Sequence, residues 1–479
     1  MMGRLGALVG AVLGASIVVP VSAGAAIPIH PVSAAPYTVP AACASKGLDG
    51  EVSLAVDPGS GRMVAAWMQD VEGLGNSALS TLAVVSAASN NGVDWTPATA
   101  PPGVMLCDLP PGPNDAAFDP SVSVDAGGRW YVGRLGEVVV PGLGLPPPGG
   151  IYVTSSASGT NWRWPTAPML DSYQDDYDTV VADPKVAGRA YATWTNYPVG
   201  VGSPKYDRTL FAKTSNGGAT FSRPITVHRA RAGYLDVIPR LVRLDDGTLL
   251  IVYAEIPAST IDAGDGPFAL YATRSADHGK TWSQPVRVRS DSYANVVDPE
   301  THTLYEFACC VFSLSAGPGR SAYLAWNTNP SLQEGHVKVI STSDGGRSWT
   351  TTADLARPAQ AFEATVAATP RTIALTFYDF SGAQPPDQDR PTTLWLARSG
   401  DGGVTWRIRR LAGPFDLASE TPPGDAAYLG DFQSLVPVDG GFEAAFTLAK
   451  PLARNGPSDV FAAFIPECAC PVSTGLRAR

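Results

Sequence analysis

Charged residues are scarce in this 479-residue chain, where Asp, Glu, Lys and Arg together make up 16% of the sequence. The 44 acidic residues outnumber the 34 basic ones, so the formal net charge is −10. A surface that binds nucleic acid needs clustered basic residues, because contacts to phosphate dominate its affinity. The composition therefore argues against nucleic acid as a partner.

Histidine and cysteine are also few, at five and six residues. The histidines are scattered, and neither Cys309–Cys310 nor Cys468–Cys470 has the spacing of zinc ligands. A Gly-x-Ser-x-Gly serine-hydrolase motif is absent. No cofactor is indicated with certainty, and Ca²⁺ is the one metal that the sequence leaves open.

Long apolar runs are absent except at the start of the chain. There, one positive charge at Arg4 precedes an apolar run from Leu5 to Val19, and small residues follow Pro20. This order is typical of a secretory signal peptide, and the run is short for a membrane-spanning helix. We predict that residues 1–25 are a signal peptide, that no membrane span remains after cleavage, and that the protein is secreted or held at the cell surface. Export favours disulfide bonds among the cysteines.

Glycine and proline are abundant, at 49 and 43 residues, and the apolar segments are short, which favours an all-β fold with many turns. One turn sequence recurs. The pattern Ser-x-Asp-x-Gly-x-Thr-Trp is complete at Ser275–Trp282 and Ser399–Trp406, and nearly complete at Thr342–Trp349. Softer copies end at Trp95, Trp162 and Phe221. Strand-like segments flank each copy, which predicts a hairpin turn, and two further strands in each unit complete a four-stranded propeller blade.

The recurring turn resembles the Asp-box, or BNR repeat, of sialidase-type β-propellers, and the likeness covers nearly the whole mature chain. The resemblance implies that the boxes lie at the periphery of the blades and stabilise their turns, away from the catalytic pocket. The residues to which it gives this structural role are Asp277, Gly279, Trp282, Asp344, Gly346, Trp349, Asp401, Gly403 and Trp406. We predict an all-β, single-propeller domain over residues 36–470 with four-stranded antiparallel blades, followed by a disordered tail at 471–479, and we expect a monomer.

Six boxes accompany seven candidate first strands, so we favour seven blades; six, the number in sialidases, is the alternative. The last unit lacks an outer strand, which a segment near Pro36–Ala41 could supply. Cys43 would then lie near Cys468 or Cys470, and a disulfide bond there would lock the ring.

The catalytic motifs of sialidases match only in part. Residues 237–255, "VIPRLVRLDDGTLLIVYAE", resemble the family's Arg-Ile-Pro strand and the strand that ends in Ala-Glu, here at Glu255. Val237 stands where the arginine belongs, and valine cannot grip a substrate carboxylate as a bidentate fork. Phe432, in "GDFQSL", stands where the family has its nucleophilic tyrosine. Arg240 or Arg243 could replace the lost arginine.

Acidic residues stand at or just before the start of nearly every first strand, where they would ring the mouth of the central channel. The candidate catalytic residues are Asp119, Asp178, Glu363, Asp236 and Asp431, the candidate substrate-binding residues are Glu51, Arg240 and Glu255, and Asp49, Asp176 and Glu306 belong to the same ring.

Two kinds of role remain open for this ring. Aspartates favour turns that begin a strand, where they cap backbone amides. Alternatively, the ring could bind Ca²⁺, hold a cationic or hydroxyl-rich ligand, or supply the carboxyl pair that cleaves glycosides. The leading hypothesis is a secreted glycoside hydrolase of the sialidase superfamily that acts on a neutral or cationic extracellular glycan or glycoconjugate, because an acidic ring repels sialic acid. A non-catalytic binding propeller is the alternative, and a sialidase with relocated arginines ranks third.

Overall fold

The computed structural model of the chain describes residues 17–20, 26–33, 43–73, 80–100, 114–139, 150–163, 166–169, 174–197, 207–260, 264–297, 304, 311–381, 391–417 and 429–467. These residues form strands and turns and contain no α-helix. None of their elements is a helix that could cross a membrane.

The strands form seven antiparallel sheets that follow one another along the chain, which confirms the predicted all-β propeller with seven blades. Two short strands precede the first blade, β1 (Ile17–Pro20) and β2 (His30–Pro31). Blades 1 to 3 contain β3 (Cys43–Val56), β4 (Met63–Gly73), β5 (Ser80–Ser89), β6 (Asn114–Val124), β7 (Trp130–Val139), β8 (Gly150–Ser156), β9 (Thr166–Met169), β10 (Gln174–Ala182), β11 (Ala190–Tyr197), β12 (Arg208–Thr214) and β13 (Ile225–Arg229).

Blades 4 to 7 continue the same order from the innermost to the outermost strand. They contain β14 (Tyr234–Arg243), β15 (Leu249–Pro257), β16 (Asp265–Ser275), β17 (Val286–Ala294), β18 (Phe312–Ala316), β19 (Ala322–Ser331), β20 (Glu334–Thr342), β21 (Thr350–Arg357), β22 (Ala361–Ala368), β23 (Ile373–Asp379), β24 (Pro391–Ser399), β25 (Thr405–Asp416), β26 (Ser434–Val438), β27 (Gly441–Ala449) and β28 (Ser458–Pro466). In blade 1, isolated bridges from β5 to Trp95 and Thr99 occupy the place of a fourth strand.

The first residues of the chain take part in two blades. Strand β1, inside the predicted signal peptide, pairs in parallel with β25 as a fifth strand of blade 6. Strand β2 pairs with β28 as the outer strand of blade 7. The ring therefore closes through an N-terminal segment, as predicted, but at His30–Pro31. The prediction placed this strand at 36–41, a range outside the described residues, as are Cys468 and Cys470.

Residues after β2 fix the closure. The backbone N–H of Val32 donates to the carbonyl of Val460 at 2.8 Å, and the backbone N–H of Val460 donates to Oγ of Ser33 at 2.9 Å. The side chain of Val32 is buried between β5, β27 and β28. These contacts explain the position of the closing strand: apolar burial and side-chain bonding begin at residues 32 and 33.

Hydroxyl groups on the innermost strands join most neighbouring blades around the axis. Each lies on one blade and hydrogen-bonds a backbone group on the next. The pairs are Ser434–Leu54, Ser53–Val122, Ser121–Val180, Thr179–Pro239, Ser313–Val366 and Thr365–Gln433, at 2.7 to 3.3 Å. Among the described residues, the seam between blades 4 and 5 is the one without such a pair. On blade 4, the position that corresponds to these hydroxyl residues is occupied by Arg240, which pairs with Val252 on the second strand.

The three recurring turns that contain an aspartate are each held by it. The carboxylate of Asp277 accepts hydrogen bonds from the backbone N–H groups of Lys280, at 3.0 Å, and Thr281, at 2.9 Å. Together with the Thr281 hydroxyl, which contributes most, these bonds hold the pKa of Asp277 below its usual range. The N–H of Gly279 bonds Oγ of Ser275 at 2.8 Å. The backbone N–H groups of the turn thus find their hydrogen-bond acceptors within the turn itself.

The glycine of the turn allows the blades to pack closely. Gly279 has φ = +75°, and a Cβ atom there would overlap the ring of Phe211 on blade 3. The indole of Trp282 meets the same ring edge-on, with the ring centroids 5.1 Å apart. Gly346 and Gly403 also have positive φ and approach the preceding blade in the same way. The turns therefore contribute to the contact between blades.

Candidate functional site at the channel mouth

The innermost strands enclose a cavity of about 310 Å³ on the propeller axis. Hydroxyl side chains of Ser and Thr make up much of its wall. The charged residues in the wall are Arg240, Glu363 and Asp431, and Phe432 lies among them. The cavity wall therefore mixes hydroxyl and apolar side chains, and it contains three of the residues that the sequence selected.

A bulge marks the mouth end of most innermost strands. Within it one residue that is not glycine takes the left-handed conformation, with φ between +49° and +54°. These residues are Glu51, Asp119, Tyr177, Ile238 and Glu363. Each lies where the register with the second strand shifts. Such a conformation costs about 1–3 kcal/mol and is concentrated at functional sites, where it re-aims side chains.

Hydrogen bonds connect the left-handed residues of blades 1, 2 and 3. Oε2 of Glu51 accepts the backbone N–H of Asp119 at 3.1 Å, and Oδ2 of Asp119 accepts the backbone N–H of Tyr177 at 3.2 Å. Both carboxylates are buried. The capping role that the sequence left open thus applies to Glu51 and Asp119.

Three carboxyl groups interact where blades 2 and 3 meet at the mouth. Oδ2 of Asp119 and Oδ1 of Asp176 both accept the backbone N–H of Tyr177, at 3.2 Å and 2.9 Å, so the two carboxyl groups lie side by side. Burial, followed by repulsion from Asp119, raises the pKa of Asp176 well above its usual value. Burial also raises the pKa of Asp119, against the opposing charge of Arg240. Both groups therefore take up a proton more readily than an exposed aspartate does.

Asp178 lies beside this pair but faces blade 2. Its side chain is 1% exposed, and neither carboxylate oxygen has a hydrogen-bond partner among the described residues. Oδ2 occupies space that a Cβ atom at Gly133 would fill. Burial and repulsion from Asp119 raise its pKa well above the usual value. Asp178 is thus a buried acid in the seam between blades 2 and 3.

Arg240 reaches across the cavity to blade 7. Its guanidinium lies 4.9 Å from the centre of the Phe432 ring, within the range of a cation–π contact. Its charge also opposes the rise in the pKa of Asp119 and Asp178. Phe432, which stands where sialidases have a tyrosine, therefore contacts the guanidinium of Arg240. Arg240 is the one arginine among the described residues of the cavity wall. Val237, in the place of the family's arginine, is buried in an apolar cluster.

Glu363 and Asp431 complete the described acidic residues at the mouth. Both line the cavity. The backbone carbonyl of Glu363 accepts a hydrogen bond from Nε2 of Gln433 at 2.9 Å, which joins blades 6 and 7. Asp431 interacts electrostatically with Asp176 and Tyr177 and raises the pKa of both, after the larger effect of burial. Glu306 lies outside the described residues.

Asp236 and Glu255 lie away from the cavity. They are register partners on β14 and β15, and their side chains enter the crevice between blades 3 and 4. Nδ1 of His228 lies 2.6 Å from Oδ2 of Asp236, and Nη2 of Arg231 lies 2.9 Å from Oε1 of Glu255. Sequence reasoning missed His228 and Arg231, because both belong to the end of blade 3.

Asp49 lies at the blade 1–blade 7 seam. Its Oδ1 accepts Nε2 of Gln69 at 2.8 Å, its backbone N–H bonds Ser458, and burial raises its pKa to about 7. Among the residues that the structure describes, no group of three or more His, Cys, Asp or Glu side chains is arranged to hold a metal ion. The residues of the ring thus divide between the mouth and three seams.

Comparison with known proteins rests on structure alone, since no family model and no curated protein matches the sequence. An ulvan lyase of a polysaccharide lyase family has a TM-score of 0.51 at 13% identity, over 88% of this chain and 96% of that chain. A Hadza microbial sialidase has a TM-score of 0.45 at 16% identity, over 84% of this chain and 77% of that chain. An α-L-arabinanase from Penicillium chrysogenum has a TM-score of 0.46 at 12% identity, over 78% and 98%. At these identities the likeness shows the fold, a β-propeller of the kind that these glycan-acting proteins also have.

Proposed function

We propose that the protein is a secreted glycoside hydrolase that cleaves neutral or cationic glycans at the mouth of its channel. The observation that carries the proposal is the carboxyl pair Asp119–Asp176, which converges on the backbone N–H of Tyr177 next to a cavity whose wall contains Glu363 and Asp431. Glycoside hydrolysis requires one protonated and one ionised carboxyl group near the scissile bond. The ulvan lyase, a polysaccharide lyase with the same fold, supports a glycan as substrate.

The roles follow from the protonation of each group. Asp176, whose pKa is raised most clearly, donates the proton to the leaving oxygen. Asp119 stays closer to its ionised form, because Arg240 opposes the effect of burial on its pKa. Glu363 or Asp431, on the cavity wall, acts as base or nucleophile on the other side of the sugar.

The charge of the site favours sugars without a carboxylate. Among the described residues that line the cavity, Arg240 is the only arginine, and it is already engaged with Phe432. A bidentate grip on a substrate carboxylate would need a free guanidinium fork. This argues against sialic acid and supports the neutral or cationic class.

The test is release of fluorescent aglycone from a panel of neutral glycosides, amino-sugar glycosides and a sialoside by the purified protein. We expect turnover of a neutral or amino-sugar substrate, and a fall in kcat of about 10²- to 10⁴-fold in Asp176→Asn, the usual contribution of a general acid. Glu443→Gln is the matched control, because Glu443 is a buried acid with a pKa of about 7 that lines the separate cavity at the opposite end of the channel. Equal losses in both variants would contradict the proposal.

A non-catalytic binding propeller is the second candidate. It is favoured by the use of Glu51 and Asp119 as acceptors for backbone N–H groups, which is a structural task. If the propeller only binds glycans, we expect that it cleaves no glycoside of the panel. A glycan array should then detect binding, and the substitutions Arg240→Ser and Asp431→Asn should weaken it.

A further inference from the structure

The crevice between blades 3 and 4 departs from the pattern that other blades follow. In blade 1 the acid Asp49 is bonded by the amide of Gln69, its register partner on the second strand. In blade 3 Asp175 is bonded in the same way by Asn196, at 2.6 Å. In blade 4 the acid is Asp236 and its register partner is Glu255. Two carboxylates thus stand where the other two blades pair a carboxylate with an amide.

His228 compensates the first of these carboxylates. Its Nδ1 lies 2.6 Å from Oδ2 of Asp236, whose side chain is fully buried. The imidazole also stacks on Tyr253, with the ring centroids 4.7 Å apart. When Nδ1 carries the proton that bonds Asp236, Nε2 is left as a proton acceptor. No hydrogen bond to Nε2 is found among the described residues, and the side chain is 22% exposed.

Another histidine of the chain shows the contrast. Nδ1 of His336 lies 2.7 Å from Asp354, and its Nε2 lies 3.1 Å from Glu334. Both nitrogens of that ring are therefore occupied by carboxylates. His228 has one nitrogen fixed and the other open, which is the arrangement of a histidine that acts as a base.

Arg231 compensates the second carboxylate and adds a cation beside the histidine. Its guanidinium bonds Oε1 of Glu255 through Nε at 2.9 Å and stacks on the Tyr234 ring at 3.4 Å. Its side chain is still 59% exposed. Because Asp236 and Glu255 are adjacent register partners, the groups bound to them lie next to each other in the crevice.

The surroundings of the crevice select against an anionic ligand. Oδ1 of Asp236 and Oδ2 of Asp207 are buried and have no hydrogen-bond partner among the described residues. Burial, followed by repulsion from Asp236, raises the pKa of Asp207 to about 7. Three acids therefore lie around one permanent cation, Arg231, and a further carboxylate would be repelled. An uncharged substrate fits this charge balance.

We propose that the crevice is a second reactive site, in which His228, oriented by Asp236, activates water to hydrolyse an uncharged acyl ester such as an O-acetyl group on a sugar. Nε2 of His228 takes a proton from water as the water oxygen bonds the ester carbonyl carbon. The carbonyl oxygen becomes an oxyanion, which the exposed guanidinium of Arg231 stabilises. The bond from carbon to the alcohol oxygen then breaks, and that oxygen takes the proton from Nε2, leaving a free carboxylic acid and a hydroxyl group.

The experiment measures hydrolysis of p-nitrophenyl acetate and release of acetate from O-acetylated xylan by the full chain. His228→Asn keeps an amide nitrogen where Nδ1 lies, so it can still bond Asp236, but it removes the base. We expect it to lower kcat by about 10²- to 10⁴-fold. Asp236→Asn tests the positioning residue, and we expect kcat to fall while KM changes little, with a loss of the solvent deuterium isotope effect.

His336→Asn is the matched control, since it removes a histidine whose nitrogens are both occupied. Ester turnover that falls in His228→Asn and persists in His336→Asn supports the proposal. Turnover that persists in His228→Asn, or a wild-type protein that hydrolyses neither ester, overturns it. Either result is independent of glycoside cleavage at the channel mouth, which is measured on the same preparations with a different substrate.

Discussion

The carboxylate of Glu51 on blade 1 accepts the backbone N–H of Asp119 on blade 2 at 3.1 Å. Because Asp119 is buried and in the left-handed conformation, its N–H has no access to water if this acceptor is removed. We expect Glu51→Ala to lower the free energy of unfolding by about 1–3 kcal/mol, the cost of an unsatisfied buried donor. Glu51→Gln retains an acceptor oxygen and should lose less. Urea denaturation of both variants measures this, and equal stability of Glu51→Ala and wild type would show that the bond contributes nothing.

Two glycines in the recurring turns allow the cost of backbone strain to be separated from the cost of steric overlap with a neighbouring side chain. Gly279 and Gly402 have nearly the same φ, +75° and +77°. A Cβ atom at Gly402 meets nothing within 4 Å, whereas one at Gly279 overlaps Phe211. Gly402→Ala should cost about 1 kcal/mol from the backbone conformation alone. Gly279→Ala should cost about 1–3 kcal/mol more, because a buried ring must move. Thermal denaturation with equal losses in the two variants would argue against the overlap.

Glu443 should make stability depend on pH. Burial raises its pKa to about 7 from 4.5. Because the folded pKa lies above the unfolded one, this group's contribution is fully present below pH 4.5 and is lost as the pH rises through about 7. The loss amounts to about 3 kcal/mol at 1.4 kcal/mol per pKa unit. Glu443→Gln should therefore be more stable than wild type at pH 8 and similar to it at pH 4.5. Denaturant unfolding at both values gives the answer, and a constant difference would exclude titration of this group.

Deletion of N-terminal residues separates the closing strand from the predicted signal peptide. Removal of residues 1–33 takes away β2 and the buried side chain of Val32. We expect it to lower the free energy of unfolding by about 2 kcal/mol or more, from lost apolar burial alone. Removal of residues 1–25 keeps β2 and should leave blade 7 intact. If the two deletions unfold at the same temperature, closure of the ring at His30–Pro31 is unimportant for stability.

Arg240 should lower the pKa values of the acids near the mouth of the channel. Its positive charge lowers the pKa of Asp119 and Asp178, against the larger effect of burial. Arg240→Gln removes that charge, so both pKa values should rise further. Carboxyl-carbon NMR titration of the wild type and the variant measures the change. An unchanged or lower pKa of Asp119 would mean that Arg240 does not act on this group.

The fold could be predicted because its signals are local. Asp277 and Gly279 satisfy their turn from within a few residues, so their spacing is visible in the sequence. The number of blades followed from counting first strands. The position of β2 was missed because it depends on Val32 and Ser33 contacting Val460, more than 400 residues away.

The candidate site could be predicted only as a set of acids at strand starts. Their directions depend on the bulges, which the sequence does not reveal: Asp178 turns to Gly133, and Asp236 lies in the crevice. His228 reaches Asp236 from another blade, so its role is a property of packing between blades. Aligning the blades with one another would have helped, because Glu255 falls where Gln69 and Asn196 stand.

The closing strand also constrains the order in which the molecule can fold. Strand β2 is among the first segments to be made, yet its partner β28 ends at Pro466, near the end of the chain. Contacts at such large sequence separation form slowly, because a long loop must close before they are gained. Blades 2 to 6 can assemble from neighbouring strands as the chain grows, but the ring can close only after β28 has been made. Until then the exposed edge of β28 is the place where a second copy of the chain could pair in error.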